Sequence, residues 1–186
     1  RHYFFLRIFI FEGMGIGFIS LCIATLALLI KLITDINNFY IGVICLIILT
    51  FLIIKSLIGG ISIKQKKIFF FSDKVKKITS IIFISDVHLG SNSKKHLKNI
   101  LSKINKTNAQ MLLIGGDLID SSTFDIQDLE IFKQIKIPIF YVTGNHEYYL
   151  KNWVLINKNL RKFNIIRLNN KSNNINEINI IGVDDN

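Results

Sequence analysis

Two long apolar stretches near the beginning of the chain constrain its fold more than any other sequence feature. Residues 13–33 carry one charge, at Lys31, and residues 39–58 carry one, at Lys55. A helix needs roughly 20 predominantly apolar residues to span a bilayer, and Lys55 can extend its side chain to the membrane interface. We therefore predict that residues 1–58 form a membrane anchor, a hairpin of two transmembrane helices.

Two other interpretations of these stretches stay open. They could be buried core helices, although the 128 residues that follow them are few to enclose two helices that are apolar on every side. The first stretch could also be a secretory signal peptide, although it is longer than a usual signal core and a second stretch follows it. Composition excludes other classes: 50% hydrophobic residues exclude a disordered chain, and two cysteines exclude a disulfide scaffold or a cysteine zinc cluster.

Basic residues flank the predicted hairpin, and only Lys31 lies near its connecting loop. The positive-inside rule then places both ends of the hairpin in the cytoplasm. We expect a protein integral to the cell (inner) membrane, with the domain that follows on the cytoplasmic side. The net charge of +10 suits an anionic membrane surface better than a nucleic-acid groove, so we expect no nucleic-acid partner. The flanking basic residues are Arg1, Arg7, Lys55, Lys64, Lys66 and Lys67.

The chain after the hairpin is typical of an α/β domain. We interpret residues 59–77 as a juxtamembrane linker with an edge strand at 68–71, and residues 78–186 as the domain itself. Alternation of apolar runs with helical stripes predicts a sheet with parallel neighbours, whose first strand is buried on both faces. The predicted strands are 78–85, 111–114, 139–142, 165–166 and 178–183; the predicted helices are 93–104, 124–135 and 148–163; and the Asn-rich residues 169–179 are predicted to form a polar turn.

Three of the predicted strands end in polar turns. In an open α/β sheet, ligands bind outside the carboxyl ends of the strands, so the three turns should meet at one edge. Each turn also has an ordinary explanation, since aspartates cap helices and Gly-Asn pairs form tight turns. The polar residues are Asp86 and His88 in the first turn, Asp117 and Asp120 in the second, and Asn145, His146 and Glu147 in the third.

The residue types in these turns are those of a metal site. Asp86 and His88 alternate by two, so in an extended segment their side chains point to one side. Oxygen and imidazole donors together suit Mn, Fe, Zn or Ni. Asp117 can bridge two ions, and Asn145 offers an amide oxygen to the second. Two such ions can hold a bridging hydroxide and clamp a phosphoryl group for in-line attack.

At these residues the chain resembles the calcineurin-like metallophosphoesterase superfamily, whose pattern is D-x-H, G-D-x-x-D and G-N-H-[DE]. Here the motifs stand at residues 86–88, 116–120 and 144–147. The resemblance covers about residues 78–186 and implies the N-terminal half of an αββα sandwich. A membrane hairpin before the domain is similar to the membrane-anchored bacterial branch of the superfamily.

The resemblance also implies a role for each matching residue. His146 would be catalytic, stabilising the transferring phosphoryl group or protonating the leaving oxygen, and Asp120 would orient it. Glu147 is expected to support the turn. The implied cofactors are two divalent ions, manganese first, with iron, zinc or nickel as alternatives. The implied metal ligands are Asp86 and His88 for the first ion, Asp117 for both ions and Asn145 for the second.

The chain departs from the family pattern in one respect. The pattern continues with Gly-His segments that complete both metal shells, whereas no histidine follows His146 in this sequence. We expect those segments beyond Asn186, and we expect this 186-residue chain to bind metal weakly and to be inactive alone.

Two functions of different classes follow. The first is a membrane-anchored phosphoesterase that hydrolyses a phosphoester, phosphodiester or pyrophosphate in a phosphorylated small molecule or lipid. The alternative is a non-catalytic membrane protein with a degenerate phosphoesterase-like interaction module. A nuclease is a weaker third option, because membrane spans restrict access to long DNA.

Overall fold

The computed structural model describes residues 2–121, 124–175 and 177–185. It divides into two compact units, residues 1–67 and residues 68–186.

The first unit is a hairpin of two long helices, α1 (His2–Ile33) and α2 (Asn38–Ile61). Their apolar parts, residues 13–33 and 38–60, have none of the side-chain burial that a core helix would show. Both are long and apolar enough to cross a membrane, as predicted.

Polar groups of the hairpin find partners close along the chain. The Lys31 ammonium donates to the Ile36 carbonyl at 2.9 Å, and the Asn37 side chain caps α2 by accepting from the backbone N–H of Phe39 at 2.9 Å. Within α2, the Thr50 hydroxyl donates to the Leu46 carbonyl at 2.8 Å. A helix in lipid requires such local hydrogen bonds for its polar groups, because the hydrocarbon core contains no water to bind them.

The predicted linker and edge strand need correction. Helix α2 continues through Gly59 and Gly60 to Ile61, so the linker begins at residue 62. Residues 62–80, all described, form neither helix nor strand, and the strand predicted at 68–71 is wrong. A run of apolar residues makes a strand only where another strand pairs with its backbone, and no described strand pairs with this one.

The second unit contains a four-stranded parallel sheet in the order β1-β2-β3-β4, which confirms the predicted α/β class. Parallel neighbours need crossover connections, and the helical segments between the strands supply them. The strands are β1 (Ile81–Ile84), β2 (Met111–Gly115), β3 (Ile139–Val142) and β4 (Ile165–Arg167).

The helical segments cover one face of this sheet and form the core with it. Alternate strand residues such as Leu112, Ile139 and Tyr141 pack against Leu97 and Phe132 from the helices. The prediction that β1 is buried on both faces is wrong: Ile81 and Phe83 on its other face are 40% and 66% exposed. The segments are α3 (Lys94–Ile104), a 3₁₀ helix (Ile126–Gln134), α4 (Asn145–Tyr148), α5 (Trp153–Asn159) and a 3₁₀ helix (Leu160–Phe163).

The helix predicted at 148–163 is interrupted. The chain turns between α4 and α5, where the N–H of Leu150 donates to the Glu147 carbonyl and that of Trp153 donates to the Leu150 carbonyl, each at 3.2 Å. Leu150 is buried in the core. Burial of this one side chain at the turn overrides the helical pattern of the sequence.

The predicted polar turn at 169–179 is also wrong in part. It contains β5 (Lys171–Ile175), which pairs antiparallel with β6 (Ile178–Gly182). Backbone pairing forms this hairpin although asparagine is a poor strand former. Gly182 allows close packing, because a Cβ there would lie 2.2 Å from the Cβ of Leu168 and 2.8 Å from Val142 Cγ1.

Candidate metal centre

The turns after β1 and β2 are joined backbone to backbone. The N–H groups of Asp86 and His88 donate to the carbonyls of Gly116 and Asp117 at 3.2 and 2.9 Å. A further bond from the Leu89 N–H to the Leu118 carbonyl continues the parallel pattern beyond both strands. The backbone therefore fixes how far apart the first two polar turns lie.

Three residues of these turns adopt left-handed backbone conformations. Asp86, His88 and Asp117 have φ of 56°, 52° and 51°. The expectation of an extended Asp86–His88 segment is therefore wrong, although the two side chains do meet, with Asp86 Oδ1 3.6 Å from His88 Nε2. Such conformations cost about 1–3 kcal/mol each and persist only where the surroundings impose them, which is common at functional sites.

His88, Asp117 and His146 form a compact cluster. One ligand atom from each lies within 4.8 Å of the other two. The two imidazole rings meet edge to face, with centroids 4.8 Å apart and planes at 85°. Imidazole and carboxylate are donors that borderline divalent cations prefer, so His88 and Asp117 fit a metal ion of that class, with the His146 imidazole directly beside them.

Asp120 lies against His88. Its Oδ2 is 3.3 Å from His88 Nδ1, and its Oδ1 accepts from the backbone N–H of Ser91 at 2.9 Å. A carboxylate at Nδ1 favours the tautomer with the proton on that nitrogen, which leaves the Nε2 lone pair for a metal. The structure thus gives Asp120 a contact that the sequence did not predict; its expected role toward His146 stays a prediction.

Glu147 joins the second and third turns. Its side chain is fully buried. Oε2 accepts from the N–H of Asp117 at 3.1 Å and of Gly144 at 2.8 Å, and Oε1 accepts from the N–H of Ile119 at 3.1 Å. The expected support of one turn is in fact a link between two, and it sets the distance between Asp117 and His146. Burial first, and then the negative charge of Glu147, raise the pKa of Tyr141 well above its ordinary value.

Asn145 and His146 begin the short helix α4. The backbone N–H of His146 donates to Asp117 Oδ1 at 3.1 Å, which orients the carboxylate within the cluster. Asn145 is exposed at the first position of the helix. Its role as a ligand of the second ion stays a prediction.

Sequence reasoning missed a buried ion pair beside the third turn. Asp184 is 7% exposed and accepts from Arg167 and from the Thr143 N–H, the latter at 3.1 Å. The Arg167 guanidinium also lies over the Trp153 ring, 5.3 Å from its centroid. The isolated arginine at the end of β4 was the available signal, since arginine is the usual partner of a buried carboxylate.

We predict that Gly144→Ala displaces Asp117 and weakens metal binding. A Cβ at Gly144 would lie 2.2 Å from Asp117 Oδ1 and 2.8 Å from the Asp117 backbone nitrogen. Isothermal titration of the full-length protein with Mn²⁺ should show affinity lower by about 10–100-fold, the range seen when support of a ligand is lost. Gly59→Ala, whose Cβ meets no described atom within 4 Å, is the matched control; equal affinities of the two variants would contradict the prediction.

Comparison with known proteins gives consistent matches. A model of the calcineurin-like phosphoesterases matches residues 79–186. Uncharacterized metallophosphoesterases from two Helicobacter pylori strains are 36% identical over 96 residues and 33% identical over 132 residues, which cover 46% and 66% of this chain. A zebrafish (Danio rerio) transmembrane protein with a metallophosphoesterase domain is 34% identical over 73 residues, 37% of this chain and 17% of that protein. The matched parts span 24% and 34% of the two Helicobacter proteins.

Proposed function

The chain belongs to the calcineurin-like phosphoesterase family, and on that premise we propose that the full-length protein is a membrane-anchored phosphoesterase that depends on two metal ions. The observation that carries this proposal is the convergence of His88, Asp117 and His146 within 4.8 Å at the carboxyl ends of parallel strands. Ordinary turn or capping roles for these residues do not require such convergence.

Asp86 and His88 would hold the first ion, Asp117 both, and Asn145 the second. Manganese is the first candidate, because the donors are carboxylates, an amide and imidazole. Bound ions would act as Lewis acids toward phosphoryl oxygens and lower the pKa of water. Asp120 would keep the Nε2 of His88 available, through its contact with Nδ1 at 3.3 Å.

His146 would act on the substrate. Its backbone is held by Asp117 and by the start of α4, and its ring stands at 85° to that of His88. From there the imidazole would donate a proton to the leaving oxygen or hydrogen-bond to the phosphoryl group as negative charge develops.

The two apolar helices support a substrate at or near a bilayer. We propose a phosphorylated lipid or small molecule that carries a phosphoester, phosphodiester or pyrophosphate, hydrolysed at the cytoplasmic face of the inner membrane. The excess of basic residues beside the hairpin supports that orientation. Nucleic acid is not proposed as a substrate, since membrane anchorage restricts access to it.

Chelation tests the proposed function. Purified full-length protein in detergent should hydrolyse bis-p-nitrophenyl phosphate, lose the activity after EDTA treatment and gel filtration, and regain it with Mn²⁺, because the proposed reaction depends on ions that these turns hold. Release of p-nitrophenolate is the measurement, and Ca²⁺, which prefers oxygen ligands only, is the control ion. Protein that stays inactive with Mn²⁺, Fe²⁺, Zn²⁺ and Ni²⁺ on monoester, diester and pyrophosphate substrates would favour the non-catalytic alternative.

A further inference from the structure

Residues 68–71 form an exposed apolar run in the second unit. The exposed fraction rises from 61% at Ile68 to 95% at Phe71. The match to the phosphoesterase family begins only at residue 79, so the run lies outside the family domain. Soluble proteins rarely expose several large apolar side chains together, and where they do the patch usually marks an interaction site.

Three lysines follow this run after a short turn. Lys74, Lys76 and Lys77 are all exposed, and Asp73 is the one acidic residue among positions 64–77 of the sequence. A tight turn separates the phenylalanines from the lysines, with the N–H of Val75 donating to the Ser72 carbonyl at 3.2 Å. Aromatic side chains and ammonium groups are thus presented by one short segment.

The segment is covalently close to a helix that can span a bilayer. Seven residues, 62–68, separate Ile61, the last residue of α2, from Phe69. Even a fully extended chain of that length reaches only about 30 Å. If α2 spans the membrane, the phenylalanines cannot leave the neighbourhood of its surface.

The chemistry of the segment favours lipid over a second copy of the chain. Phenylalanine partitions to the boundary between headgroups and acyl chains, and lysine extends from there to anionic headgroups. Each lysine near an anionic surface strengthens binding about fivefold. Two copies joined through this segment would instead bring six lysine charges together, and like charges repel.

We propose that residues 68–77 form an interfacial segment that binds the surface of the bilayer. Phe69, Phe70 and Phe71 enter the headgroup–acyl boundary, and the three lysines bind anionic phospholipid headgroups. The proposal rests on the hairpin crossing the membrane and is independent of catalysis. It holds the phosphoesterase domain against the surface by a second attachment besides the helices.

Fluorescence quenching in lipid nanodiscs tests the interfacial segment. The full-length protein, with Cys22→Ala and Cys45→Ala, carries a nitrobenzoxadiazole label at Phe70→Cys, in discs of phosphatidylcholine alone or with an equal amount of phosphatidylglycerol. Lipids with a nitroxide near the headgroup should quench this label at least about threefold more than one at Glu130→Cys, an exposed control position. Phosphatidylglycerol should increase the difference.

The lysines are tested in the same discs. Lys74→Gln, Lys76→Gln and Lys77→Gln together should abolish the increase caused by phosphatidylglycerol and leave the quenching in phosphatidylcholine, as should high salt, which screens exposed charges. Equal quenching at positions 70 and 130 overturns the proposal. So does a label that is shielded from water but not quenched by lipid, because that result indicates a protein partner or a second copy.

Discussion

Replacing Asp117 with asparagine is expected to remove nearly all hydrolysis of bis-p-nitrophenyl phosphate by the full-length protein. Asparagine keeps the size of the side chain and tolerates the left-handed conformation of this residue, φ 51°. It loses the negative charge that the cluster of His88, Asp117 and His146 offers to a cation. Loss of several kcal/mol of electrostatic stabilisation corresponds to about 10³-fold in rate.

The measurement is kcat/KM at saturating Mn²⁺, together with the affinity for Mn²⁺. Asp128→Asn removes the same charge from a surface pair with Lys94, whose atoms are 3.0 Å apart, and should leave both quantities within about twofold. His146→Ala should lower kcat by about 10²–10⁴-fold while Mn²⁺ affinity persists, because its proposed role is proton transfer. An Asp117→Asn enzyme of normal activity would refute the proposed centre.

Replacing Glu147 with alanine is expected to lower the free energy of unfolding by at least about 3 kcal/mol. Three backbone N–H groups lose their acceptor, and each buried N–H group left without one costs about 1–3 kcal/mol. These are the N–H groups of Asp117, Ile119 and Gly144. A domain has only about 5–15 kcal/mol of stability to lose. Glu147→Gln keeps one oxygen for two of the donors and should cost less than half as much.

The 186-residue chain in detergent suits this measurement, because Trp153 is its only tryptophan and packs, partly buried, against the core of the second unit. Urea unfolding followed by tryptophan fluorescence gives the free energies. Glu130→Ala removes an exposed carboxylate paired with Lys133 at 3.1 Å and should cost less than about 1 kcal/mol. If Glu147→Ala were as stable as Glu130→Ala, the three hydrogen bonds would not be what joins the turns.

The elements that could be predicted from the sequence are those whose pattern is dictated by burial. Residues 139–142 form β3 with the predicted bounds, and α3 begins one residue after its predicted start and ends at its predicted last residue, because a buried strand and an amphipathic helix each leave a periodic signal. The apolar run 68–71 has the composition of a strand but no partner. Pairing is a tertiary property, so composition alone could not exclude the strand.

The convergence of polar side chains at this edge could be predicted from the sequence, whereas the contacts among them could not. Spacing after the strands was enough to bring Asp86, His88, Asp117 and His146 to one edge. The contact between Asp120 and His88 could not be predicted from the sequence, because it depends on the left-handed backbone conformation of His88, which directs Nδ1 toward the carboxylate. The ion pair of Asp184 could not be predicted for a similar reason: its partner Arg167 lies 17 positions away along the chain.

The left-handed conformations at positions 86, 88 and 117 also limit how this site can change in evolution. β-Branched side chains are strongly disfavoured there, whereas asparagine and glycine fit without distortion. Neutral substitutions at these three positions are therefore restricted to a very small set of amino acids. A lineage that abandoned the chemistry would first accumulate asparagine or glycine at these positions, so a decayed relative should be recognisable by those residues on an otherwise intact sheet.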